Sequence, residues 1–337
     1  MAVPSGTFQT FQAVGNREDL TDILENIFPT ETPIYSRMKG EKTTAKARKH
    51  EWQTDELATP TKDNSAIEGD DAVINTANPT TRLHNHCQIF SKAPSVSGTQ
   101  QATDTAGRKN EMAYQAAKRM KELKLDIEAS ISQNNAGTAG AAGTGAKLAS
   151  LEAWLNTGTS ANPGTGTSVG EGSAQTTPGW TTANGCPATA PTDSTSAGSV
   201  SENTFRTVIA DTWSVGGMPS LIVCPPRLKQ KISRDFAGIA TRFKNVNGNK
   251  QTEIVSGVDL YVSDFGEHEI VASRLVRSSV IFFLDPTMLN FAYLRPLKSW
   301  DLAKTGDSDK KQMLCEGTLM VRNPKAHAKI CDVSPTK

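Results

Sequence analysis

The sequence lacks any apolar run approaching the roughly 18 residues that a membrane-spanning helix needs. Its N-terminus also lacks the basic stretch followed by an apolar stretch that marks a secretory signal. We therefore expect a protein that is made in the cytosol and has no membrane partner.

Cysteine is scarce, and its spacing forms no pattern. The five cysteines are an odd number and lie far apart: Cys87, Cys186, Cys224, Cys315 and Cys331. With no C-x-x-C pair among them, they indicate neither a disulfide framework nor a zinc site. We expect buried, reduced thiols and no bound metal.

An excess of charge of either sign is also missing. The chain has 36 Lys and Arg against 35 Asp and Glu, a formal net charge of +1, so no overall field concentrates nucleic acid on it. A free-standing DNA-binding role is therefore disfavoured. Hydrophobic residues make up only 36% of the 337 residues, which predicts extended polar segments whose order comes from elsewhere, with partner subunits as one natural source.

The N-terminal quarter has the character of an arm followed by a loose hairpin. Residues 1–45 contain one short helical candidate, Glu18 to Ile27, and the prolines Pro29 and Pro33 interrupt anything longer. Residues 46–95 alternate weakly between apolar and polar positions, which predicts two strands joined by a polar tip. An isolated hairpin is marginal in water, so we expect this one to lie on another surface.

The clearest helix is predicted from Glu111 to Gln133. Its apolar residues recur at steps of three and four and form one stripe: Met112, Ala116, Met120, Leu123, Ile127 and Ile131. Lys118 with Glu122 and Lys124 with Glu128 have the four-residue spacing that favours ion pairs on the other side. We expect the stripe to be core and the charged side to be exposed.

The second half of the chain predicts helices packed on a sheet. Residues 157–200 are rich in Gly, Ser and Thr and are interpreted as a surface insertion. Ser201 has the position of a cap for a helix from Phe205 to Val215, followed by a buried strand, Leu221 to Cys224, and a helix, Arg227 to Phe236. Further strands are predicted at Glu253 to Val262, Glu269 to Ala272, Val280 to Leu284, Leu289 to Leu294 and Met313 to Val321. The expected fold class is α+β.

Two short motifs imitate catalytic loops. Ser168, in Gly166 to Gly170, matches the nucleophile-elbow pattern, but it lies in a low-complexity tract without the strand and helix that this elbow requires. Gly140 to Lys147 lacks the Gly-Lys-Ser/Thr ending with which a phosphate loop reaches phosphate and magnesium. We therefore predict neither nucleophilic catalysis nor nucleotide binding at these places.

Histidines supply the other candidates. His84 and His86 would share one face of a strand, where two imidazoles can bind one ion, but the sequence names no third or fourth ligand. His50 and Glu51 are adjacent on a strand and point to opposite faces, so they make a poor acid–base pair. No catalytic, cofactor-binding or metal-binding residue is predicted, and we expect a protein that is not an enzyme.

Ordered motifs in the C-terminal third carry a family resemblance. They are Val258 to Gly266, Leu284 to Pro286, Ala292 to Pro296, Leu302 to Ser308, Cys315 to Leu319 and Arg322-Asn323. Together with Pro29 to Pro33 and His50 to Asp55, they resemble a family of tailed-bacteriophage major capsid proteins. The resemblance implies the Hong Kong 97 type capsid fold, which herpesviruses and encapsulin compartments share.

That fold assigns a place to each segment. The resemblance implies an N-terminal arm at 1–45 and an extended loop at 46–95. A peripheral domain at 96–156 and 300–337 would have the long helix as its spine, and an axial domain would occupy 201–299. Residues 157–200 would be an insertion particular to this chain.

The implied function is structural. Pentamers and hexamers of one chain would close into an icosahedral shell, the capsid of a virion, assembled in the host cytoplasm. Implied partners are a portal protein, a scaffold or decoration protein and non-specifically contacted double-stranded DNA, with no cofactor.

Two alternatives remain open. An encapsulin-like compartment would use the same fold to enclose an enzyme cargo instead of DNA. A hydrolase using Ser168 or the histidines would instead require a concave pocket with convergent polar groups.

Overall fold

The computed structural model describes residues 29–40, 43–58, 60–69, 71–72, 79–103, 105, 108, 110–155, 165–169, 185–194, 196–236, 243–245, 252–254 and 258–334. The helical candidate Glu18 to Ile27 lies outside the described residues. Among the described residues, helices and strands both contribute substantially, and the predicted α+β class is confirmed.

The described helices are α1 (Pro33–Arg37), α2 (Gly98–Ala102), α3 (Glu111–Ser132), α4 (Leu151–Trp154), α5 (Glu202–Ser214) and α6 (Pro226–Asp235). The described strands are β1 (Lys49–Thr54), β2 (Thr81–His86), β3 (Gln88–Lys92), β4 (Ser95–Ser97), β5 (Thr165–Ser168), β6 (Leu221–Cys224), β7 (Phe243–Asn245), β8 (Thr252–Ile254), β9 (Leu260–Ser263), β10 (Gly266–Ala272), β11 (Ile281–Leu284), β12 (Leu289–Asp301), β13 (Ser308–Val321) and β14 (Ala328–Cys331).

The long helix α3 forms where the apolar stripe predicts it. The Asn110 side chain accepts the N–H of Ala113 and so caps its first turn. Only the C-terminal half of the stripe is buried, at Leu123, Ile127 and Ile131, while its N-terminal half is partly exposed. Within one subunit, the first half of the helix therefore has apolar surface that no other described element fully covers.

A long, twisted hairpin lies beside this helix. Strands β12 and β13 pair antiparallel, and β3 and β4 pair with the other side of β13. The register of β12 shifts on both sides of Arg295, where Pro296 lacks the N–H that a regular ladder needs. Because the bulge absorbs the proline, β12 continues to Asp301 beyond its predicted end at Leu294.

A mixed six-stranded sheet forms the second layer, in the order β5-β14-β11-β6-β10-β9. Its central strands β6 and β11 are buried throughout, as expected for strands covered on both faces. Alternate residues of β6 enter different clusters: Leu221 and Val223 pack with the residues of α3, and Ile222 and Cys224 pack with Phe205 of α5. The sheet therefore separates two cores.

Helix α5 begins at Glu202, earlier than the predicted start at Phe205 and directly after the predicted cap residue Ser201. The Ser201 hydroxyl accepts the N–H of Thr204, which confirms the predicted cap. The helix turns Phe205, Val208 and Ile209 inward against the sheet, and α6 adds Leu228 to the same core.

Three segments differ from the sequence-based expectation. Thr165–Ser168 is not part of a mere surface insertion, because it pairs parallel with β14 as an edge strand of the six-stranded sheet. Strand β14 pairs with β11 in that sheet, although residues 300–337 were expected to lie in the peripheral domain with α3. Strand β12 pairs with β13 beside α3, although residues 201–299, which contain most of β12, were expected to form the axial domain. Backbone pairing between distant segments decides all three, and composition does not encode it.

In the described part of the chain, no helix has both the length and the apolarity for a membrane span.

Candidate functional site

The predicted two-stranded hairpin is present, and its paired strands form a stem that packs against the rest of the subunit. Strands β1 and β2 pair antiparallel from Lys49 opposite His86 to Thr54 opposite Thr81. Trp52 is buried, and its ring lies 5.6 Å from that of Trp154, centre to centre. Burial of such aromatic pairs contributes strongly to packing, so the stem belongs to the core of its own subunit.

A buried asparagine ties the stem to two other segments. The Asn85 side-chain nitrogen donates to the Ala149 and Leu319 carbonyls at 3.2 and 2.8 Å, and its oxygen accepts the N–H groups of Ala149 and His86 at 2.9 and 2.8 Å. Every polar atom of this side chain is thereby satisfied, as burial requires. The root of the hairpin is consequently held in one orientation.

The described residues of the hairpin tip, 55–58, 60–69 and 71–72, are not buried in this way. Every described residue from 55 to 72 is exposed, and none of them lies in a helix or strand. Leu57 is 100% exposed and Ile67 is 76% exposed. One ion pair, Glu56 with Lys325 at 2.6 Å, joins the base of the tip to the rest of the subunit. Apolar side chains held this far from their own core form a surface suited to contact with another molecule.

The end of the N-terminal segment is anchored on α3 by a buried carboxylate. Both oxygens of Glu128 accept backbone N–H groups at the start of α1, from Ile34 at 3.0 Å and from Tyr35 at 2.8 Å. Glu128, on α3, therefore caps the N-terminus of α1, because Thr32 at the N-cap position of α1 makes no side-chain hydrogen bond of its own. Burial raises the pKa of Glu128, and the two N–H groups partly oppose that change.

This contact corrects one predicted ion pair. Lys124 and Glu128 were expected to pair on the exposed side of the helix, but Glu128 lies on the buried side and binds α1. Near Glu122, the described contact is with Arg119 at 2.6 Å.

The edge of the six-stranded sheet presents a second exposed apolar surface. On strand β9, Leu260 and Val262 are 53% and 65% exposed. Trp213, at the end of α5, packs beside Phe265 near this edge and is itself half exposed. Edge strands with apolar side chains and free ladder positions pair readily with other chains.

The imitation catalytic motifs have structural roles. The Ser168 hydroxyl bonds to the carboxylate of Asp332, and Ser168 is paired with Cys331 within the edge strand β5. Gly140 to Lys147 forms a tight turn closed by bridges between Thr138 and Lys147 and between Ala141 and Thr144. His50 is buried and Glu51 lies on the opposite face of β1, as the alternation predicts.

His84 and His86 do share one face of β2, and the structure adds a third donor that the sequence did not reveal. One ligand atom from each of His84, His86 and Cys186 lies within 4.8 Å of the other two. Burial lowers the pKa of His84 to about 4 and raises that of the Cys186 thiol to about 12. No spacing rule finds Cys186, because it lies about a hundred residues away in a segment interpreted as surface. All five cysteines are free and buried, as predicted.

A family model and a curated relative both indicate a major capsid protein. The profile described as SU10 major capsid protein matches residues 3–334. A major capsid protein of Escherichia phage Phieco32 is 34% identical over 128 residues, 38% of this chain and 36% of that protein. The matched segment therefore spans about a third of that relative's length.

Solved structures show the fold at low sequence identity. The capsid of cyanophage A-1(L) gives a TM-score of 0.64 at 13% identity, covering 96% of this chain and 98% of that chain. Gordonia phage Cozz gives 0.58 at 14% identity, covering 98% and 96%. The holo-SrpI encapsulin complex of Synechococcus elongatus PCC 7942 gives 0.51 at 10% identity, covering 94% of each chain. The predicted Hong Kong 97 type fold is confirmed.

Proposed function

The chain belongs to the SU10 major capsid protein family, and from that membership we propose that its copies close into an icosahedral head shell around packaged double-stranded DNA. The observation that carries the proposal is the hairpin of β1 and β2, with a stem rooted in its own core and an exposed tip that bears Leu57 and Ile67. A tip of this kind gains order and buries apolar surface only by lying on a neighbouring subunit.

The proposed division of labour follows the pairing of the strands. Residues 1–45 act as an arm and residues 46–95 as the extended loop. The region around α3 and the hairpin of β12 and β13 is the peripheral part, and the six-stranded sheet with α5 and α6 is the axial part. Within residues 157–200, β5 joins the axial sheet, and Cys186 and Val200 are buried in the two cores.

Assembly on this plan uses contacts that repeat around symmetry axes. Head-to-tail contacts close into rings, and rings joined at slightly different angles close into a shell. We assign the apolar edge at Leu260 and Val262 to the contacts within a ring and the hairpin tip to contacts that lie across a neighbour. Permanent assemblies of this kind bury more than about 2,000 Å² per interface.

The remaining partners are those that a DNA-filled head requires. They are a portal protein, a scaffold or decoration protein and DNA bound without sequence preference, with assembly in the host cytoplasm. A net charge of +1 supports loose contact with packed DNA, because each tightly bound phosphate would need its own basic residue. We propose no catalytic role, since Ser168 is engaged with Asp332 and lacks an elbow.

Excision of the tip tests the proposal directly. Thr54 and Thr81 lie opposite each other at the end of the stem, so residues 55–80 can be replaced by an Asn-Gly turn that keeps the register. We expect the shortened chain to fold with unchanged thermal stability and to give no shells by negative-stain microscopy, whereas the full chain gives shells or capsomer rings. Shells of normal size from the shortened chain would refute the role of the loop.

The encapsulin-like alternative rests on the structural likeness to the SrpI complex. It predicts particles that enclose protein cargo. Nuclease-resistant double-stranded DNA of genome length in particles purified from infected cells supports the phage head, and particles that contain only protein support the compartment.

A further inference from the structure

Three metal-binding side chains meet at the root of the hairpin. His84 and His86 lie on one face of β2, and their rings are 5.5 Å apart and nearly perpendicular. Cys186 lies beside these two histidines and belongs to the described segment 185–194. One donor atom of each residue lies within 4.8 Å of the other two.

The backbone holds the cysteine segment against the strand. The His84 N–H donates to the Gly185 carbonyl at 2.7 Å. Gly185 has φ of +64°, and a Cβ added there would meet the Arg82 carbonyl oxygen at 2.7 Å, so only glycine fits this approach. The meeting of Cys186 with the histidines is therefore fixed by backbone geometry and does not depend on a flexible side chain.

We infer that His84, His86 and Cys186 bind a borderline-soft divalent transition-metal ion, with Zn²⁺ as the first candidate and water as the fourth ligand. Two imidazole nitrogens and one thiolate are a donor set that zinc takes in proteins. Zinc bonds of about 2.1 Å to nitrogen and 2.3 Å to sulfur place tetrahedral ligand atoms roughly 3.5 Å apart, so the side chains close by on the order of 1 Å.

Binding releases one proton. The Cys186 thiol loses its proton to solvent as the zinc–sulfur bond forms, and both histidines bind through neutral ring nitrogens. The half-buried histidines leave one side of the cluster open to water.

Nearby charges modulate the site. Lys49 and Arg82 oppose a cation, and Glu51, which lies opposite His84 in the strand register, forms ion pairs with both. Removal of the Glu51 charge therefore leaves two unbalanced cations beside the metal. We expect Glu51→Gln to weaken zinc binding without abolishing it.

The metal would join the segment at residues 185–187 to the stem of the extended loop. It would thereby stiffen the root from which the proposed intersubunit contact extends. The inference is independent of the proposed function, since a shell can form with or without the ion.

Zinc titration of the full, reduced and unassembled chain against a chromophoric chelator tests the inference. We expect one equivalent per chain, lost in Cys186→Ser and in the double variant His84→Gln with His86→Gln. Cys87→Ser is the matched control, since Cys87 follows His86 directly but donates its thiol to the Ala47 carbonyl, away from the cluster. This control should keep the full equivalent.

Cobalt provides a readout that needs no variant. Co²⁺ added to the wild-type chain should give a thiolate-to-metal charge-transfer band, and an excess of Zn²⁺ should displace the Co²⁺ and remove the band. Absence of the band, or a full equivalent of zinc retained by the double histidine variant, would overturn the assignment.

Discussion

Leu57→Asp is the sharpest single-residue test of the hairpin tip. The side chain is 100% exposed in the isolated subunit, so its replacement removes no contact within the chain. Substitutions at such positions change the free energy of unfolding by no more than about 0.5 kcal/mol. Any larger effect must therefore come from a neighbouring subunit.

The magnitude follows from the apolar surface that the neighbour would cover. Full burial of a leucine side chain stabilises by about 1.5–3 kcal/mol. Each subunit contributes one tip, so Leu57→Asp removes this amount from one contact per subunit. Since about 1.4 kcal/mol corresponds to a factor of ten, the concentration of unassembled subunit at equilibrium should rise about 10–100-fold.

The assay is a concentration series in which shells are separated from free subunits by sedimentation. Ala58→Asp is the matched control, because it adds the same charge to the neighbouring exposed position without removing a large apolar side chain. We expect the control to shift the free concentration much less. Equal free concentrations for wild type and Leu57→Asp, with both chains folded, would refute burial of this residue at an interface.

Three other predictions concern single groups. Glu128→Ala should destabilise the folded chain by about 2–4 kcal/mol in chemical denaturation, because the N–H groups of Ile34 and Tyr35 lose their acceptors. Glu128→Gln should also destabilise the chain, because its one amide oxygen replaces only one of the two acceptors and its NH2 group faces the other N–H. A Glu128→Gln variant as stable as the wild type would contradict this. Val262→Lys should leave the melting temperature unchanged and prevent ring formation in native mass spectrometry, and intact rings would contradict the edge contact. Burial lowers the pKa of His327 to about 4 in the folded chain. From pH 6.5 downward, the unfolded chain therefore takes up a proton at this residue, whereas the folded chain does not. Up to roughly 3 kcal/mol of stability should be lost by pH 4. His327→Asn, which keeps an acceptor for the Asp285 N–H, should flatten this profile, and an unchanged profile would count against it.

Local features of the fold were accessible from sequence because they depend on neighbours in the chain. The helix α3 and the Ser201 cap of α5 depend on residues three or four apart, and both are confirmed, although only the C-terminal half of the α3 stripe is buried. The buried strand Leu221 to Cys224 was equally readable, because a strand covered on both faces needs an uninterrupted apolar run.

Features that join distant segments were not accessible. The sequence predicted Glu128 as one half of a surface ion pair. Its partners are instead the backbone N–H groups of Ile34 and Tyr35, which lie 94 and 93 positions earlier in the chain. Thr165–Ser168 has the composition of a surface tract, but parallel pairing with β14 makes it a strand. Cys186 joins His84 for the same reason: the path of the backbone brings them together, and no local pattern records that path.

The separation between a finished core and an unsupported tip has a kinetic consequence. Trp52 packs on Trp154 and Asn85 forms its hydrogen bonds within one subunit, so the stem needs no second copy for these contacts. On the proposed function, assembly covers the exposed side chains of the tip, and burial of Leu57 and Ile67 offsets the conformational entropy lost there. Each contact is consequently weak enough to reverse until several form together, which allows misplaced subunits to leave before a shell closes. We therefore expect accurate closure of the proposed shell to depend on single contacts at Leu57 and Ile67 that are weak enough to reverse.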